Sequence, residues 1–404
     1  METFTNVPTA ERADAMRHQP TLFEQTVEHF CWDRFDRLVR QHGADDAQRG
    51  FTSRHHFLAL LAEALGSHGS LRKLIAALAP NHGALRLLGG KAPARSTLSD
   101  AMRDRPAALF FDLLQELLCY ASHRKMRQAL REAVRLIDAT HLGLGARMER
   151  WFDLHKGNVA AKLHVVYDPQ AQRPVYFALT KARINDITAA KCLLPIEAGA
   201  TYVFDLGYYD FAWWAKLVER DCTFVTRLKS NTSLRDTEQR EVAPGGTVLG
   251  DQLGYLPERL ASNRHNPFDQ KGREVTIRID NGKVLRLFTN DLTSPAEEIA
   301  ALYKERWQIE LFFKWVKQNL RISKFLGTSE NAIRAQIAVA FIAYILVRLV
   351  QTAQDKVHAA SNVLAIIRAH LFVRRPLAEM LDPRRPPVPK RSWPAAQLML
   401  PVGN

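Results

Sequence analysis

The chain has 404 residues, of which 47% are hydrophobic and 24% charged, so it can bury the cores of two or three domains. Its 56 Lys and Arg against 42 Asp and Glu give a formal net charge of +14 at pH 7. This excess favours a polyanionic partner, most commonly nucleic acid. A basic protein that is merely soluble is the alternative on charge alone.

The four cysteines, Cys31, Cys119, Cys192 and Cys222, lie far apart and form no CxxC pair. This spacing argues against a disulfide framework or a zinc ribbon and suits a reducing compartment. The polar N-terminus lacks the apolar segment of a secretory signal. The longest apolar run, residues 337–347, is too short to span a bilayer and predicts a buried helix. A soluble, cytoplasmic protein is expected.

Helical periodicity dominates residues 20–130, where segments such as HHFLALLAEALG and GSLRKLIAAL begin or end at Gly and Ser. The last of three short helices begins RSTLSD, directly after the basic run KAPAR. This order is compatible with a helix-turn-helix-like DNA reader, and a plain helical bundle is at least as good an interpretation. Both predict an all-helical N-terminal domain.

The pattern changes at Ala133, where apolar and β-branched segments begin to alternate with turn residues. AVRLIDATHLGLG, AAKLHVVYD and RPVYFALT predict three strands, and DPQAQ predicts a hairpin between the last two. A helix, the strand TYVFD, a second helix and a further strand follow. The order β-β-β-α-β-α-β predicts an α/β core with a mixed sheet.

Residues 231–292 are polar and interrupted by Gly and Pro, and VTIRIDNGKVLRLFTND predicts two strands about an Asp-Asn-Gly turn. We interpret this region as a β-rich insertion in the α/β domain. Helix returns with Ser294 as candidate N-cap and Pro295 at the first helical position. Two further helices precede a Pro/Arg-rich tail after Leu381, which is expected to be extended.

The segment YKERWQIELFFKWVK, residues 303–317, places one carboxylate among aromatic side chains in a predicted continuous helix. At about 100° per residue, Tyr303, Arg306, Glu310 and Lys317 fall within an arc of roughly 60° beside an apolar stripe. An ion pair of Glu310 with Arg306 or Lys317 on a solvated face would explain the row without any chemistry.

Three aromatic residues on the other side of this helix favour a different interpretation: Trp307, Phe312 and Trp315. They predict that water covers little of the helix. A carboxylate in such surroundings needs a strongly positive partner, for example a metal ion.

Two other acids follow predicted strands, Asp138 after VRLI and Asp205 after TYVF. A lone Asp at a strand end is usually a turn former or a helix cap. Two of them at the carboxyl ends of strands in one sheet are where an active-site crevice is expected. With Glu310 they offer three hard oxygen ligands, a set that suits Mg²⁺ or Mn²⁺.

Other chemistries have little support in the sequence. The histidines show no spacing typical of a metal site, and no GxxxxGK[ST] loop supports ATP hydrolysis. Carboxylates that hold two Mg²⁺ ions are suited to phosphodiester chemistry. A basic chain with such a site is therefore interpreted as a nuclease or a strand transferase.

The spacing Y-x₂-R-x₃-E-x₆-K at Tyr303, Arg306, Glu310 and Lys317 resembles the signature of a large group of bacterial insertion-sequence transposases. The segments IDAT, FDLGY and FLGTSENAIRAQIAVAFIAYIL resemble the same group, as does the N-terminal stretch through RSTLSDA. The resemblance covers nearly the whole chain.

This resemblance implies a ribonuclease H-like core with an Asp-Asp-Glu triad formed by Asp138, Asp205 and Glu310, binding two Mg²⁺ or Mn²⁺ ions. It implies phosphate contacts by a basic and aromatic set near the cleaved end, namely Tyr303, Arg306, Lys314 and Lys317. The implied partner is double-stranded DNA, as terminal inverted repeats and as target. A homodimeric synaptic complex and a nucleoid-associated, cytoplasmic location follow.

Relatives in that group cut through a hairpin intermediate, with a flipped base stacked on an aromatic residue of the insertion. Phe268 and Tyr255 are the candidates here. Two alternatives to a transposase stay open: a structure-selective nuclease on the same core, and a catalytically inactive, transposon-derived DNA-binding protein. The presence of all three acids speaks against decay.

The expected organisation has five parts. They are a helical DNA-binding domain (1–130), the first part of the catalytic domain (131–230), the β-rich insertion (231–292), the second part of the catalytic domain (293–350), and a C-terminal helix with the tail (351–404).

Overall fold

The computed structural model describes residues 19–28, 30–46, 50–123, 133–144, 153–155, 158–259, 264–320, 325–354 and 358–381. The segment in which a secretory signal was sought, residues 1–18, lies outside the described residues, as do the Cys119 side chain and the Pro/Arg-rich tail after Leu381. Cys31, Cys192 and Cys222 are free thiols.

The N-terminal region is helical, as predicted. Its helices are α1 (Leu22–Thr26), α2 (Trp32–Gln41), α3 (Ser53–Gly66), α4 (Leu71–Leu78), α5 (His82–Leu87), α6 (Arg95–Asp104) and α7 (Ala107–His123). Ser70 caps α4 by accepting a hydrogen bond from the backbone N–H of Lys73 at 3.3 Å, as expected for serine at an N-cap. The helix-turn-helix interpretation stays a prediction.

In the described part of the chain, ten strands form one mixed sheet. They are β1 (Val134–Gly143), β2 (Asp153–His155), β3 (Asn158–Asp168), β4 (Arg173–Lys181), β5 (Thr201–Phe204), β6 (Thr223–Arg227), β7 (Arg235–Gln239), β8 (Val248–Tyr255), β9 (Lys271–Arg278) and β10 (Val284–Thr289). Two helices connect the parallel strands, α8 (Asp186–Leu193) between β4 and β5, and α9 (Phe211–Val218) between β5 and β6.

The central strands lie in the order β4-β3-β1-β5-β6. β1, β3 and β4 are antiparallel neighbours, and β5 and β6 are parallel to β1. Crossovers between parallel strands need a helix, which α8 and α9 supply. This is the ribonuclease H-like arrangement, so the predicted fold class is confirmed, with the short β2 as an additional strand.

The β-rich region continues the central sheet. β10 pairs with β6, and β9, β8 and β7 follow outward in antiparallel order. The predicted turn between β9 and β10 is present, and its Gly282 has a φ of +81°, a conformation that glycine adopts without strain. The insertion thus shares its sheet with the core. The five-part domain division stays a prediction.

The predicted helix around Glu310 is interrupted. α10 (Ala296–Glu305) ends at Glu305, and after Arg306 a second helix, α11 (Trp307–Asn319), begins. Around the break, backbone N–H groups bond the carbonyl three residues back, Arg306 to Tyr303 and Ile309 to Arg306. The prediction of one continuous helix is therefore wrong. The N-cap of α10 is Pro295, and the expectation of Ser294 was also wrong.

The long helix α12 (Glu330–Ala353) is the core helix of the molecule, and α13 (Ala360–Ala369) and α14 (Leu377–Leu381) follow it. Phe341 stacks on Phe177 of β4 at 5.1 Å, and Asn331 accepts a hydrogen bond from the Ala107 N–H at the start of α7. α12 is long and apolar enough to cross a membrane, but 78% of its most apolar window is buried in the protein. The prediction of a buried helix is confirmed.

Candidate active site

Asp138 lies near the middle of β1, one residue beyond the last parallel pair of β1 with β5, Ile137 with Phe204. Strand neighbours point to opposite faces, so Asp138 shares its face with Leu136 and Thr140. Its side chain is 18% exposed. The backbone N–H of Ala139 donates to its Oδ1 at 2.7 Å.

Asp205 follows β5 directly and begins a short 3₁₀ helix, Leu206–Tyr208. Its Oδ1 accepts a hydrogen bond from the Gly207 N–H at 2.8 Å. The capping role that a lone Asp at a strand end suggests is therefore realised. Because β1 and β5 are adjacent and parallel and Ile137 pairs with Phe204, Asp138 and Asp205 follow paired positions. β1 continues to Gly143, so the prediction that Asp138 lies at a strand end is wrong.

Glu310 lies in the first turn of α11, whose buried side chains pack towards the core: Ile309, Phe312, Phe313 and Val316. The Glu310 side chain is 44% exposed, and Trp307 is 60% exposed. The prediction that water covers little of this helix is therefore wrong. The interruption at Arg306 and the packing of Phe312 leave the Trp307 side in solvent.

Arg306 connects two of the three acids. Its guanidinium donates to Asp138 Oδ2 at 3.3 Å and to Glu310 Oε1 at 2.5 Å. The ion pair of Glu310 with Arg306, which the sequence offered as the interpretation without chemistry, is thus formed. This ion pair accounts for the position of Glu310 but does not exclude a catalytic role, because Arg306 also pairs with Asp138 on β1.

Burial raises the pKa of Asp138 to about 7. The Ala139 N–H and Arg306 lower this pKa, while the negative charges of Asp205 and Glu310 raise it further. A carboxyl group whose charge is opposed by two neighbouring carboxylates gains from a cation between them. Perturbed acids of this kind are typical of functional sites.

The other residues of the predicted row differ in position. Lys317 donates to the Thr140 hydroxyl on β1 at 2.6 Å, which brings its charge beside Asp138. Lys314 is exposed one turn after Glu310. Tyr303 is only 7% exposed and lies in the hydrophobic core, with Arg306 5.8 Å from its ring centre.

The three acids are oxygen ligands of the kind that Mg²⁺ and Mn²⁺ prefer. Among the residues that the structure describes, no three Asp, Glu, His or Cys side chains are grouped closely enough to hold one ion. The raised pKa of Asp138 and the guanidinium between Asp138 and Glu310 nevertheless mark a place that requires positive charge. The donor set fits a hydrated divalent cation.

A fourth acid, Asp186, lies beside Asp205 and was missed in the sequence. It is the first residue of α8, where an acid is ordinary. A Cβ added at Gly207 would lie 3.0 Å from Asp205 Oδ1 and 3.1 Å from Asp186 Oδ2. The carboxylates of Asp205 and Asp186 therefore both lie beside Gly207. The local sequence around Asp186 does not predict this proximity.

The two aromatic candidates of the insertion have different surroundings. Phe268 is 2% exposed and packs among Trp214, Phe224 and Phe288. Tyr255 is partly exposed and lines a cavity of about 230 Å³. Of the two rings, that of Tyr255 is accessible to a stacking partner.

Comparison with known proteins identifies the family. The profile of the Transposase DDE domain matches residues 130–346, which include all three acids. A second profile, a domain of unknown function (DUF4372), matches residues 18–91. The matched catalytic region begins just before β1 and ends within α12.

Two named relatives agree with this match. A Sinorhizobium fredii protein named as transposase y4zB is 38% identical over 73% of this chain and 82% of its own length. A Geobacillus stearothermophilus protein named as transposase for insertion sequence element IS5377 is 30% identical over 70% of this chain and 74% of its own length. A piggyBac transposase in a synaptic complex with hairpin DNA superimposes with a TM-score of 0.45 at 11% identity, covering 92% of this chain and 84% of that chain.

The family generally uses divalent metal ions and acts on DNA. The match covers more than half of the chain, and the relatives are aligned over most of their length. The chain therefore belongs to the DDE transposase family, as a DNA-cleaving enzyme of the insertion-sequence type.

Proposed function

We propose that this transposase binds the terminal inverted repeats of its own element and moves it by cut-and-paste transfer, with Asp138, Asp205 and Glu310 as its catalytic triad. The observation that carries the assignment is the bridging of Asp138 and Glu310 by one guanidinium, next to the strand end that carries Asp205 and inside the segment that matches the DDE domain. Burial raises the pKa of Asp138 to about 7. Such a shift is typical of acids at functional sites and is not needed for a simple surface ion pair.

Two divalent ions, Mg²⁺ or Mn²⁺, would activate the attacking hydroxyl and stabilise the leaving oxygen. Asp138 and Asp205 would share one ion, and Glu310 would complete the site of the other. The attacking group is water when the strand is cut and the freed 3′-hydroxyl when it is joined. The protein's own contribution is to hold both strands so that the same acids serve both steps.

The basic residues near the triad are proposed to hold DNA phosphates. Lys314 is exposed, and Lys317 stands at the mouth of the site beside Thr140. Arg306 would exchange its carboxylate partners for a phosphate when a cation binds. Tyr303, which is nearly buried, would contribute chiefly by packing beside Arg306.

The N-terminal helices are proposed to bind DNA through a basic surface. Residues 64–99 contain no Asp or Glu. Their five Lys and Arg side chains are exposed and, among the described residues, form no hydrogen bond or ion pair: Arg72, Lys73, Arg86, Lys91 and Arg95. Exposed basic side chains that form no ion pair and have no acidic residues near them in the sequence are suited to phosphate contacts.

This DNA-binding surface can be tested with a duplex of the element's terminal repeat in metal-free buffer. Neutralising Arg72, Lys73 and Arg86 to Gln should weaken binding and lower the slope of log affinity against log salt by about 0.9 per lost contact. The matched control replaces three exposed basic residues of the sheet domain by Gln, namely Lys216, Arg220 and Lys283. Equal loss in both triple variants would contradict a dedicated surface.

Finer assignments follow from the resemblance and are part of the proposal. The enzyme is placed in the Y-R-E-K signature group and acts as a homodimer that joins two ends, in the bacterial cytoplasm at the nucleoid. If a hairpin intermediate forms, the flipped base is assigned to Tyr255, because Phe268 lies in the core.

The triad assignment is tested by Asp138→Asn. We expect strand cleavage in Mg²⁺ to fall by about a thousandfold or more, as when a group that stabilises a transition state is removed, while binding to the terminal repeat stays measurable. Cleavage by this variant at the wild-type rate would refute the assignment.

A second experiment separates a transposase from a structure-selective nuclease. Wild-type enzyme is given pre-cut ends and a target plasmid in Mg²⁺. Joined products are expected, because the freed 3′-hydroxyl can attack at the same acids. Hydrolysis without joining would favour the nuclease.

A further inference from the structure

A second polar group lies on the other side of the sheet from Asp138. β1 and β3 pair Ala139 with His164 and His141 with Lys162. Since successive residues alternate between faces, Lys162 and His164 point away from the face that carries Asp138. Both are buried, and Asp186 meets them there.

Asp186 links this group to the active site. Its Oδ1 forms an ion pair with Lys162 Nζ at 3.1 Å and lies 3.9 Å from His164 Nδ1. Its Oδ2 lies beside Gly207, as does Asp205 Oδ1. Asp186 therefore lies close to the loop that carries Asp205.

Several buried polar atoms of this group lack a hydrogen-bond partner among the described residues: Asp186 Oδ1, His164 Nδ1 and the Tyr208 hydroxyl. Tyr208 is fully buried, and its ring packs on Phe204 and Trp213. Burial raises the pKa of its hydroxyl, and the charges of Asp186, Asp138 and Asp205 raise it further.

Buried polar groups are normally paired, with protein or with ordered water. The Tyr208 hydroxyl and His164 Nδ1, which have no hydrogen-bond partner among the described residues, and the carboxylates of Asp186 and Asp205 offer the two to four partners that a bound water needs. Mg²⁺ keeps several of its waters when it binds to one or two carboxylates, and second-layer groups orient those waters. The unpaired atoms are therefore explained by a hydrated cation at the neighbouring acid.

We propose that Asp186 and Tyr208 extend the triad to a four-carboxylate site, in which they hold the waters of a divalent cation bound by Asp205. Asp186 and Tyr208 are positioning residues, since they act through water and through the Asp205 loop. Lys162 balances the charge of Asp186 from the opposite face. This inference rests on the proposed triad.

The test measures Mn²⁺ binding to the full-length protein without DNA, by electron paramagnetic resonance of the free ion. Asp186→Asn should weaken the site by about 10-fold or more, as is typical for groups that orient metal ligands. The matched control is Asp210→Asn. Asp210 is likewise 29% exposed, likewise paired with a lysine, Lys191, at 2.6 Å, and lies near the start of a helix as its N-cap.

Tyr208→Phe provides a second variant that keeps the buried ring and removes only the hydroxyl. It should weaken Mn²⁺ binding in the same direction without lowering the thermal midpoint of the metal-free protein. If Asp186→Asn fails to fold, Tyr208→Phe decides alone. Wild-type affinity in the folded variants, or equal loss in Asp210→Asn, would overturn the proposal.

A wrong assignment of the triad would give a different pattern of Mn²⁺ binding among the variants. Asp138→Asn and Glu310→Gln should each weaken Mn²⁺ binding if the triad binds metal. Loss in these two variants but not in Asp186→Asn or Tyr208→Phe would overturn only the outer residues. Unchanged binding in Asp138→Asn and Glu310→Gln would overturn the triad itself.

Discussion

Arg306 donates a hydrogen bond to Asp138 across 3.3 Å, although 168 positions separate the two residues in the chain. The same guanidinium also holds Glu310. It therefore supplies, in the metal-free protein, the positive charge that a cation would supply in the active one. Its location at the break between α10 and α11 places it between the two acids.

Arg306→Gln should change metal and DNA binding in opposite directions. At pH 8 the variant should bind Mn²⁺ roughly two- to fivefold more tightly, the range expected when one partly exposed ion pair no longer competes. Its affinity for terminal-repeat DNA should fall, because a phosphate contact is lost. The control is Arg103→Gln, which removes an exposed arginine that also pairs with two acids. Weaker Mn²⁺ binding in Arg306→Gln would show that the guanidinium does not compete with the cation.

The affinity for metal should depend on pH through Asp138. Because the pKa of Asp138 is raised from 3.8 to about 7, a cation must displace a proton below neutrality. We expect Mn²⁺ to bind roughly tenfold more weakly at pH 6 than at pH 8. Affinity that stays constant over this range would mean that Asp138 is already ionised or is not a ligand.

The stability of the metal-free protein should change with pH in the direction opposite to that of its metal affinity. Between pH 3.8 and about 7 the folded protein keeps a proton on Asp138 that the unfolded chain has released. The free energy of unfolding therefore falls as the pH rises through this window. Urea denaturation at pH 5 and pH 8 should show a larger drop for wild type than for Asp138→Asn. Parallel pH profiles of the two proteins would contradict this.

Gly207→Ala should displace Asp205 without unfolding the protein. The new Cβ would lie 3.0 Å from Asp205 Oδ1 and 3.1 Å from Asp186 Oδ2, so that at least one carboxylate must shift. Misplacement of a catalytic group by up to 1 Å costs about 100-fold in rate, and we expect Mg²⁺-dependent cleavage to fall by about 10- to 100-fold. At Gly250 a Cβ would make only ordinary contacts, so Gly250→Ala serves as the control. Cleavage that is equally reduced in both would point to general destabilisation.

Lys317→Ala should weaken DNA binding through charge. Its ammonium donates to Thr140 at 2.6 Å, so both a phosphate contact and a structural bond are candidates for its role. Loss of a phosphate contact lowers the salt slope of binding by about 0.9. Thr140→Val removes the bond but keeps the charge, and should leave the slope unchanged. A reduced slope in Thr140→Val would show that the hydroxyl positions Lys317 for the phosphate.

The sequence by itself predicted the strands and the helical segment on which Asp138, Asp205 and Glu310 lie, while their role as one site stays a prediction. Strand signals before Asp138 and Asp205 and helical periodicity around Glu310 depend on near neighbours in the chain. The order of strands and helices then restricted the topology to an α/β core with a mixed sheet. The mixed α/β fold class was confirmed because it depends on local pattern and on a small set of allowed connections.

Only the tertiary structure decided what each acid contacts. Arg306 rather than Lys317 pairs with Glu310, Trp307 faces solvent, and Asp186 reaches the Asp205 loop across Gly207. Each of these depends on long-range packing, for example the break after Glu305 and the approach of α8 to the end of β5. Residues far apart in the chain acquire their distances only when the sheet and helices pack, and periodicity carries no information about those distances.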